Sequence, residues 1–301
     1  MTSATLDWLG CATFRLILGK LVVFLDAYID RVDGAAGPGM SANDVDHADW
    51  ILIGHSHFDH LWGAERIARR TGATIVGSYE TLRVMEAQGV PLSQLMAVSG
   101  GERIELAEDV SVTVYPSLHS CVWSHQQFPE ADAVCVGDLH VSYQEQMRRL
   151  GDLVQWLQTL GPEVHRHLQA SFQGARGDGQ ALVYLLESPD GSLLYQDTSG
   201  YWSGILDGLR PDVAILAAAG RGNIDGEPVQ GTLAQFVGQQ VALLAPQRAV
   251  LCHHDDWLPG FSRPIDTTPI RDELHRVAPA TTLVTMPYTS AYRVFENLSG
   301  R

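Results

Sequence analysis

The sequence predicts a layered α/β domain, and three patterns along the chain indicate it. The N-terminal part reads as consecutive short strands separated by turn residues. A buried strand, a polar loop, a helix and another strand then follow one another, and the C-terminal half alternates in the same style. A chain of 301 residues fits one large domain or two ordinary ones, and no low-complexity linker divides it. We therefore predict a single domain over residues 1–301.

The predicted elements begin with a hairpin, in which residues 13–18 and 21–25 flank Gly19 and Lys20. Residues 50–53 are fully apolar and suit a buried strand. Residues 61–70 have helical spacing and stop at Thr71-Gly72. Further predicted strands are 74–76, 103–106, 110–115, 181–187, 192–195, 213–216 and 249–251, and further predicted helices are 81–88 and 233–244. The long helical stretch 142–160 interrupts this alternation and predicts a helical cap inserted at 121–176.

Charge and apolar content limit the classes of function. The formal net charge is −15 and no run of Lys or Arg exists, so nucleic acid is not expected as a partner. The apolar run 16–29 contains Lys20 and Asp26, which argues against a membrane span. The four cysteines lack paired spacing, which favours reduced thiols and a cytoplasmic location.

The segment His55-Ser56-His57-Phe58-Asp59-His60 carries four side chains that can bind metals within six residues. It follows a predicted buried strand and precedes a helix. Imidazole nitrogen and carboxylate oxygen suit Zn, Mn or Fe. The alternative without a metal is a polar loop whose histidines face solvent. The density of potential ligands favours the metal site. Because an ion with an open position needs three protein ligands, this segment alone cannot complete two sites.

This motif, with later single ligands at strand ends, resembles the metallo-β-lactamase superfamily. The resemblance implies a four-layer αββα sandwich and two divalent metal ions, with zinc first and Mn or Fe as alternatives. By the family's pattern, the first ion would be held by His55, His57 and His119, the second by Asp59, His60 and His253, and Asp197 would bridge them.

Some ligand assignments stay open. His125 or His140 can replace His119, and His254 can replace His253. The bridging residue usually lies in Gly-Asp-Thr, whereas this chain has Gln196 before Asp197, so the turn there is expected to differ. For Asp26, a turn residue that ends a strand is slightly favoured over a hydrogen bond to a ligand histidine.

The segments 9–15, 24–28 and 253–257 look like the branch of the superfamily that contains L-ascorbate-6-phosphate lactonase and N-acylphosphatidylethanolamine phospholipase D. The resemblance implies hydrolysis by a metal-bound hydroxide, with Asp59 as the catalytic residue that orients it and accepts its proton. We expect lactone opening or cleavage of a related ester. A phosphodiesterase of the same fold and a non-catalytic, metal-containing binding or sensing module are the alternatives.

The expected partner is a small polar molecule, which can be anionic because bound metal ions would offset the acidic surface. The sequence is also compatible with a homo-oligomer. The candidate substrate-binding residues are Trp123, His125, Tyr201, Trp202, Arg221 and Asn223. For the aromatic candidates, a role in core packing is at least as plausible as substrate contact. For Arg221, a surface ion pair is as plausible as substrate binding.

Overall fold

The structure, a computed structural model, describes residues 4–124 and 130–298. Within these ranges the two largest sheets have seven strands each. In spatial order, the strands of the first sheet are β19 (Tyr292–Arg293), β1 (Thr5–Trp8), β2 (Phe14–Leu18), β3 (Leu21–Leu25), β4 (Trp50–Leu52), β5 (Thr74–Gly77) and β6 (Leu95–Ala97). The N-terminal half of the chain thus builds this sheet, apart from its edge strand β19.

The C-terminal half builds most of the second sheet. Its strands, in spatial order, are β18 (Thr282–Val284), β17 (Arg248–Cys252), β13 (Val213–Ala217), β11 (Gly191–Gln196), β10 (Leu182–Ser188), β8 (Val110–Pro116) and β7 (Arg103–Ala107). Two smaller sheets pair β12 (Gly200–Tyr201) with β14 (Asn223–Ile224) and β15 (Glu227–Pro228), and β9 (Val134–Val136) with β16 (Gln230–Thr232). The helices are α1 (Phe58–Leu61), α2 (Ala64–Thr71), α3 (Tyr79–Ala87), α4 (Tyr143–Leu157), α5 (Pro162–Ser171), α6 (Ser203–Leu206), α7 (Leu233–Leu244) and α8 (Thr268–Val277).

The central strands of both sheets are apolar on both faces, which explains the layers. In β3, Val23 and Leu25 join a core shared with the second sheet, whereas Val22 and Phe24 pack with residues of α2 and α3. Strands of the second sheet divide in the same way between the shared core and a cluster that includes α7 and α8. Since neighbouring side chains of a strand point to opposite faces, each sheet buries one face against the other sheet and one against helices. The predicted four-layer αββα sandwich is confirmed.

The helix predicted over residues 61–70 is wrong in its boundaries, because Gly63 interrupts it. The chain forms α1, leaves the helix at Trp62 and starts again at Ala64. Gly63 has φ +127, and a Cβ atom there would lie 2.4 Å from the carbonyl oxygen of Ala27. Only glycine fits such a close approach in this backbone region. The break places α1 inside the histidine segment and α2 against the first sheet.

Within residues 121–124 and 130–176 the structure has the α-helices α4 and α5, the strand β9 and a short 3-10 helix, Val122–Ser124. Helix α4 begins after Ser142, whose side chain accepts a hydrogen bond from the backbone N–H of Glu145. Strand β9 pairs with β16, so this segment contacts the second half of the chain. Helix α5 contacts the first half, where His167 lies 2.7 Å from the hydroxyl of Tyr28. Every described helix is too short or too polar to span a membrane.

Candidate metal centre

Four strand ends deliver the polar residues of the centre. His55 follows β4, His119 follows β8, Asp197 follows β11 and His253 follows β17. Strands β11, β13 and β17 are parallel, and β10 is antiparallel to both β8 and β11, so β8 runs in the same direction as β11 and β17. The carboxyl ends of three strands of the second sheet therefore meet at one edge, where the His55–His60 segment of the first sheet joins them.

The first group of donors consists of His55, His57 and His119, whose ligand atoms all lie within 4.8 Å of one another. Each ring has one nitrogen beside an acceptor outside the group. His55 Nδ1 is 2.6 Å from Asp197 Oδ2, His57 Nε2 is 3.0 Å from the Gly177 carbonyl, and His119 Nδ1 is 2.9 Å from the Ser120 carbonyl. We assign the ring proton to these outer nitrogens, which leaves the inner nitrogens as unprotonated lone pairs.

These inner lone pairs face one another. His55 Nε2 and His57 Nδ1 are 3.1 Å apart, too close for two acceptors with nothing between them. Burial lowers the pKa of both His55 and His119 well below its ordinary value, and neighbouring histidines lower it further. The rings of His55 and His119 are therefore neutral, so protonation of these two rings does not relieve the repulsion. A cation bound between the three inner nitrogens would relieve this repulsion.

The second group consists of Asp59, His60 and His253. Asp59 Oδ2 is 3.2 Å from His253 Nε2 and 3.4 Å from His60 Nε2. Burial alone would raise the pKa of Asp59, but His60 and His253 overcome it and hold the pKa well below the usual range. Asp59 is therefore ionised at neutral pH.

Asp26 orients His60 from the other side. Its Oδ2 is 2.6 Å from His60 Nδ1 and accepts a hydrogen bond from the Tyr195 hydroxyl, also at 2.6 Å. Its Oδ1 accepts the backbone N–H of Gly54 at 2.8 Å. Asp26 is fully buried and has φ +56. The preference for a simple turn residue was therefore wrong. The sequence did hold a sign that Asp26 supports a ligand histidine. Its carboxylate comes directly after an apolar strand, where a buried polar group needs a hydrogen-bond partner.

Asp197 lies between the two groups. Its Oδ2 is 2.6 Å from His55 Nδ1 and 3.2 Å from His60 Nδ1, and its Oδ1 is buried without a hydrogen-bond partner. A Cβ atom on Gly54 would come within 2.1 Å of Oδ2, so glycine at position 54 gives the carboxylate its space. The carboxylates of Asp59, Asp26 and Asp197 together raise the pKa of His60 well above its ordinary value, although burial opposes this.

The residues fit a divalent metal centre by two observations. Histidine binds metals through an unprotonated ring nitrogen, and each of the three rings of the first group is oriented for this by an outer hydrogen bond. A buried carboxylate oxygen without a partner, Asp197 Oδ1, is rare in proteins unless an ion or water satisfies it. The first ion would be held by His55, His57 and His119, and the second by Asp59, His60 and His253.

The turn that carries Asp197 is preceded by Gln196 instead of the glycine of Gly-Asp-Thr. Gln196 is the last residue of β11 and is buried, with its amide hydrogen-bonded to Ser117, Gly200 and Gln240. Thr198 accepts the backbone N–H of Ser120 through its hydroxyl at 3.2 Å. The glutamine therefore fixes the turn with its own hydrogen bonds and leaves the carboxylate of Asp197 in the centre.

The alternative ligands lie elsewhere or outside the described ranges. The His140 side chain is 86% exposed and lies 3.1 Å from Glu227. His254 stacks on Trp8 with ring centroids 4.8 Å apart and belongs to none of the donor groups found in the described residues. His125, proposed both as a ligand and as a substrate contact, lies outside the described residues. The structure thus brings His119 and His253, and not His140 or His254, to the other donors.

Two substrate candidates contact the loop after β8 that carries His119. Asn223 is buried, and its side-chain N–H donates to the His119 carbonyl at 2.8 Å, so it supports the ligand loop. Arg221 is 5% exposed; its Nε donates to the Ser124 carbonyl at 2.8 Å, and its Nη1 has no partner among the described residues. Arg221 and Trp123 line a cavity of about 520 Å³ beside α4.

The two aromatic candidates after Asp197 lie in different surroundings. Tyr201 is 2% exposed and packs on Phe236 with ring centroids 5.4 Å apart, so its ring belongs to the hydrophobic core. Trp202 is 38% exposed and precedes α6. Of the pair, only Trp202 presents a surface that a ligand can reach.

Comparison with known proteins agrees with this architecture. Residues 22–141 match the family described as Beta-lactamase superfamily domain. A protein named UPF0173 metal-dependent hydrolase from Pyrobaculum arsenaticum is 36% identical over 113 residues, which are 38% of this chain and 49% of the relative. The chain thus spans about half the length of the curated relatives it matches.

Two solved structures are similar over nearly the whole chain. Igni18, described as a novel metallo hydrolase from Ignicoccus hospitalis, has a TM-score of 0.59 at 16% identity and covers 95% of both chains. An isothiocyanate hydrolase from Delia radicum gut bacteria has a TM-score of 0.57 at 13% identity, covering 93% of this chain and 96% of its own. Likeness at such low identity shows the fold. The chain has the metallo-β-lactamase fold, whereas its place in the lactonase and phospholipase branch of the superfamily stays a prediction.

Proposed function

We propose that this metallo-β-lactamase-fold protein is a metal-dependent hydrolase that opens a lactone or cleaves a related ester of a small polar molecule. The observation that carries the proposal is the convergence of ring nitrogens in the first group, with His55 Nε2 and His57 Nδ1 only 3.1 Å apart. The Pyrobaculum relative is named a metal-dependent hydrolase, which supports the same reaction class.

The donor set supports two divalent ions, with zinc as the first expectation. Zinc accepts imidazole and carboxylate ligands and needs three of them to leave a position open for water or substrate. Each of the two groups offers three donors, and Asp197 contacts a histidine of each. Bound there, the ions would supply Lewis acidity, which makes water easier to ionise near neutral pH and draws electrons from the bond under attack.

Asp59 is the residue assigned to proton handling. It is ionised because His60 and His253 hold its pKa well below the usual range, so it accepts a hydrogen bond rather than donating one. In this state it can orient an attacking water and take up its proton, and it can pass that proton to the leaving oxygen. Asp59 is 9% exposed, which limits competing contacts with solvent.

Arg221 supports an anionic substrate. Its Nη1 is buried without a partner among the described residues, and a buried guanidinium N–H gains most from a carboxylate or phosphate acceptor. The loop is fixed to the centre, because the Cys121 backbone N–H donates to the Arg221 carbonyl and Asn223 donates to the His119 carbonyl. We therefore assign Arg221 to an anionic group of the substrate.

A substrate panel tests the function. The zinc-loaded protein, the protein treated with a chelator and the His57→Ala variant are assayed against lactones, carboxyl esters and bis(p-nitrophenyl) phosphate. We expect turnover of lactones or carboxyl esters that is lost on chelation, restored by added metal and absent in His57→Ala. The His140→Ala variant is the matched control, because that imidazole is exposed and away from both donor groups.

The same panel separates the alternatives. Strong turnover of the phosphodiester alone would replace the ester proposal by a phosphodiesterase. A metal-loaded protein that leaves the whole panel intact, yet binds a small metabolite, would favour a binding or sensing role. Turnover that survives both chelation and His57→Ala would contradict a metal-dependent mechanism.

A further inference from the structure

The donor groups include a thiol that the proposed ligand set does not use. Cys11 Sγ, a carboxylate oxygen of Asp59 and a ring nitrogen of His253 all lie within 4.8 Å of one another. Cys11 is fully buried in the turn after β1. A buried cysteine is often only a small apolar side chain, so its position beside two donors of the second group needs a reason.

The backbone fixes this thiol in place. The Cys11 N–H donates to both carboxylate oxygens of Asp255 at 3.0 Å, and the Cys11 carbonyl accepts the backbone N–H of His253 at 2.8 Å. The indole N–H of Trp8 donates to the same carbonyl at 3.0 Å. The turn that carries the thiol and the turn that carries His253 are therefore one hydrogen-bonded unit, which keeps their side chains together.

The thiol has no strong partner of its own. It donates a long hydrogen bond to the Asp59 carbonyl at 3.6 Å, and a thiol is a weak donor. Independent evidence that the centre holds a cation comes from Asp197, which is fully buried and whose Oδ1 has no partner. The other three cysteines are also buried, but none belongs to a donor group found in the described residues.

We propose that Cys11 is a ligand of the second metal ion, together with Asp59 and His253, and that its sulfur biases this site toward zinc or cobalt over manganese. The inference rests on the metal centre of the proposed function. On coordination the S–H bond breaks, its proton leaves to solvent and the sulfur electron pair binds the ion, with no change of oxidation state. Thiolate ligands favour zinc-type ions, whereas oxygen ligands suit manganese and magnesium.

Cobalt(II) titration of chelator-treated protein tests the ligand directly. A sulfur-to-cobalt charge-transfer band in the near ultraviolet is expected in the wild type and is expected to vanish in Cys11→Ser. The matched control is Cys252→Ser, which removes another buried thiol whose closest polar contact is the Gln196 carbonyl at 3.8 Å. A band that persists in Cys11→Ser, or is absent from the wild type, would overturn the proposal.

Two further measurements keep the test decisive if Cys11→Ser folds poorly. X-ray absorption of the zinc-loaded wild type should show a sulfur scatterer at about 2.3 Å, and a shell of nitrogen and oxygen alone contradicts the proposal. If Cys11→Ser does fold, its zinc affinity should fall roughly 10–100-fold, with a much smaller change for manganese. If the protein binds metal and hydrolyses substrate without a sulfur ligand, only this inference is contradicted. If it binds no metal, the proposed function is contradicted as well.

Discussion

Replacement of Gly54 by alanine tests whether the carboxylate of Asp197 organises the centre. A Cβ atom at position 54 would lie 2.1 Å from Asp197 Oδ2 and 2.2 Å from its Cγ. The backbone cannot easily give way, because the Gly54 N–H donates to Asp26 and its carbonyl accepts the Leu182 N–H, both at 2.8 Å. The carboxylate must therefore move by about 1 Å or more to reach ordinary contact distance.

Such a shift would break the contacts of Asp197 Oδ2 with His55 and His60, which are 2.6 Å and 3.2 Å long. Loss of a buried, charge-assisted hydrogen bond costs about 2–4 kcal/mol of unfolding free energy. Loss of an outer hydrogen bond to a metal-binding histidine lowers metal affinity roughly 10–100-fold. We expect Gly54→Ala to show both effects.

The assays are urea unfolding of chelator-treated protein and zinc binding by competition with a coloured chelator. Gly151→Ala is the control, since a Cβ atom at this α4 position would meet nothing within 4 Å. It should leave zinc affinity unchanged and stabilise the helix by about 0.5–1 kcal/mol. A Gly54→Ala protein with wild-type stability and wild-type zinc affinity would refute the reasoning.

Three other predictions concern separate parts of the chain. His119→Ala should lower the zinc bound per chain, measured by elemental analysis, whereas His140→Ala should not; equal losses would contradict the ligand assignment. Arg221→Gln should raise KM for an anionic ester roughly 10–100-fold with little change in kcat, and an unaltered KM in steady-state kinetics would remove its substrate role. Burial, with help from Arg31, lowers the pKa of His167 from the ordinary 6.5 to about 4. Because the unfolded chain takes up this proton first, stability should fall as pH drops from about 6.5 to about 4, and His167→Gln should lose less over that interval in urea unfolding; equal losses would contradict the assignment.

The fold was predictable from sequence because both sheets bury both faces. Runs such as residues 21–25 and 213–216 are continuously apolar, and helices of conventional period follow them. The predicted helix boundaries were wrong where a tertiary contact determines where the helix ends. Gly63 reads as an ordinary residue within a helical pattern, but its close approach to the Ala27 carbonyl ends one helix and starts the next.

The donors within the His55–His60 segment were predictable from their density and spacing, whereas the distant ones were assigned through the resemblance to the metallo-β-lactamase superfamily, whose later ligands each follow a strand. Residues around these donors were harder to assign. Asp26 and Cys11 come from loops without the dense histidine spacing of residues 55–60, and the folding of the sheets brings them to the centre. Tyr201 illustrates the reverse case, since its place beside Asp197 in sequence suggested a substrate contact and packing on Phe236 buries the ring.

The donors come from both sheets, with His55 from the first and His119, Asp197 and His253 from the second. An ion bound by them would cross-link the two halves of the sandwich. The stability of the chain would then depend on the free metal concentration, rising by about 4 kcal/mol when that concentration is a thousand times the dissociation constant. Zinc supply during expression would therefore decide how much of the chain resists proteolysis, before any question of turnover arises.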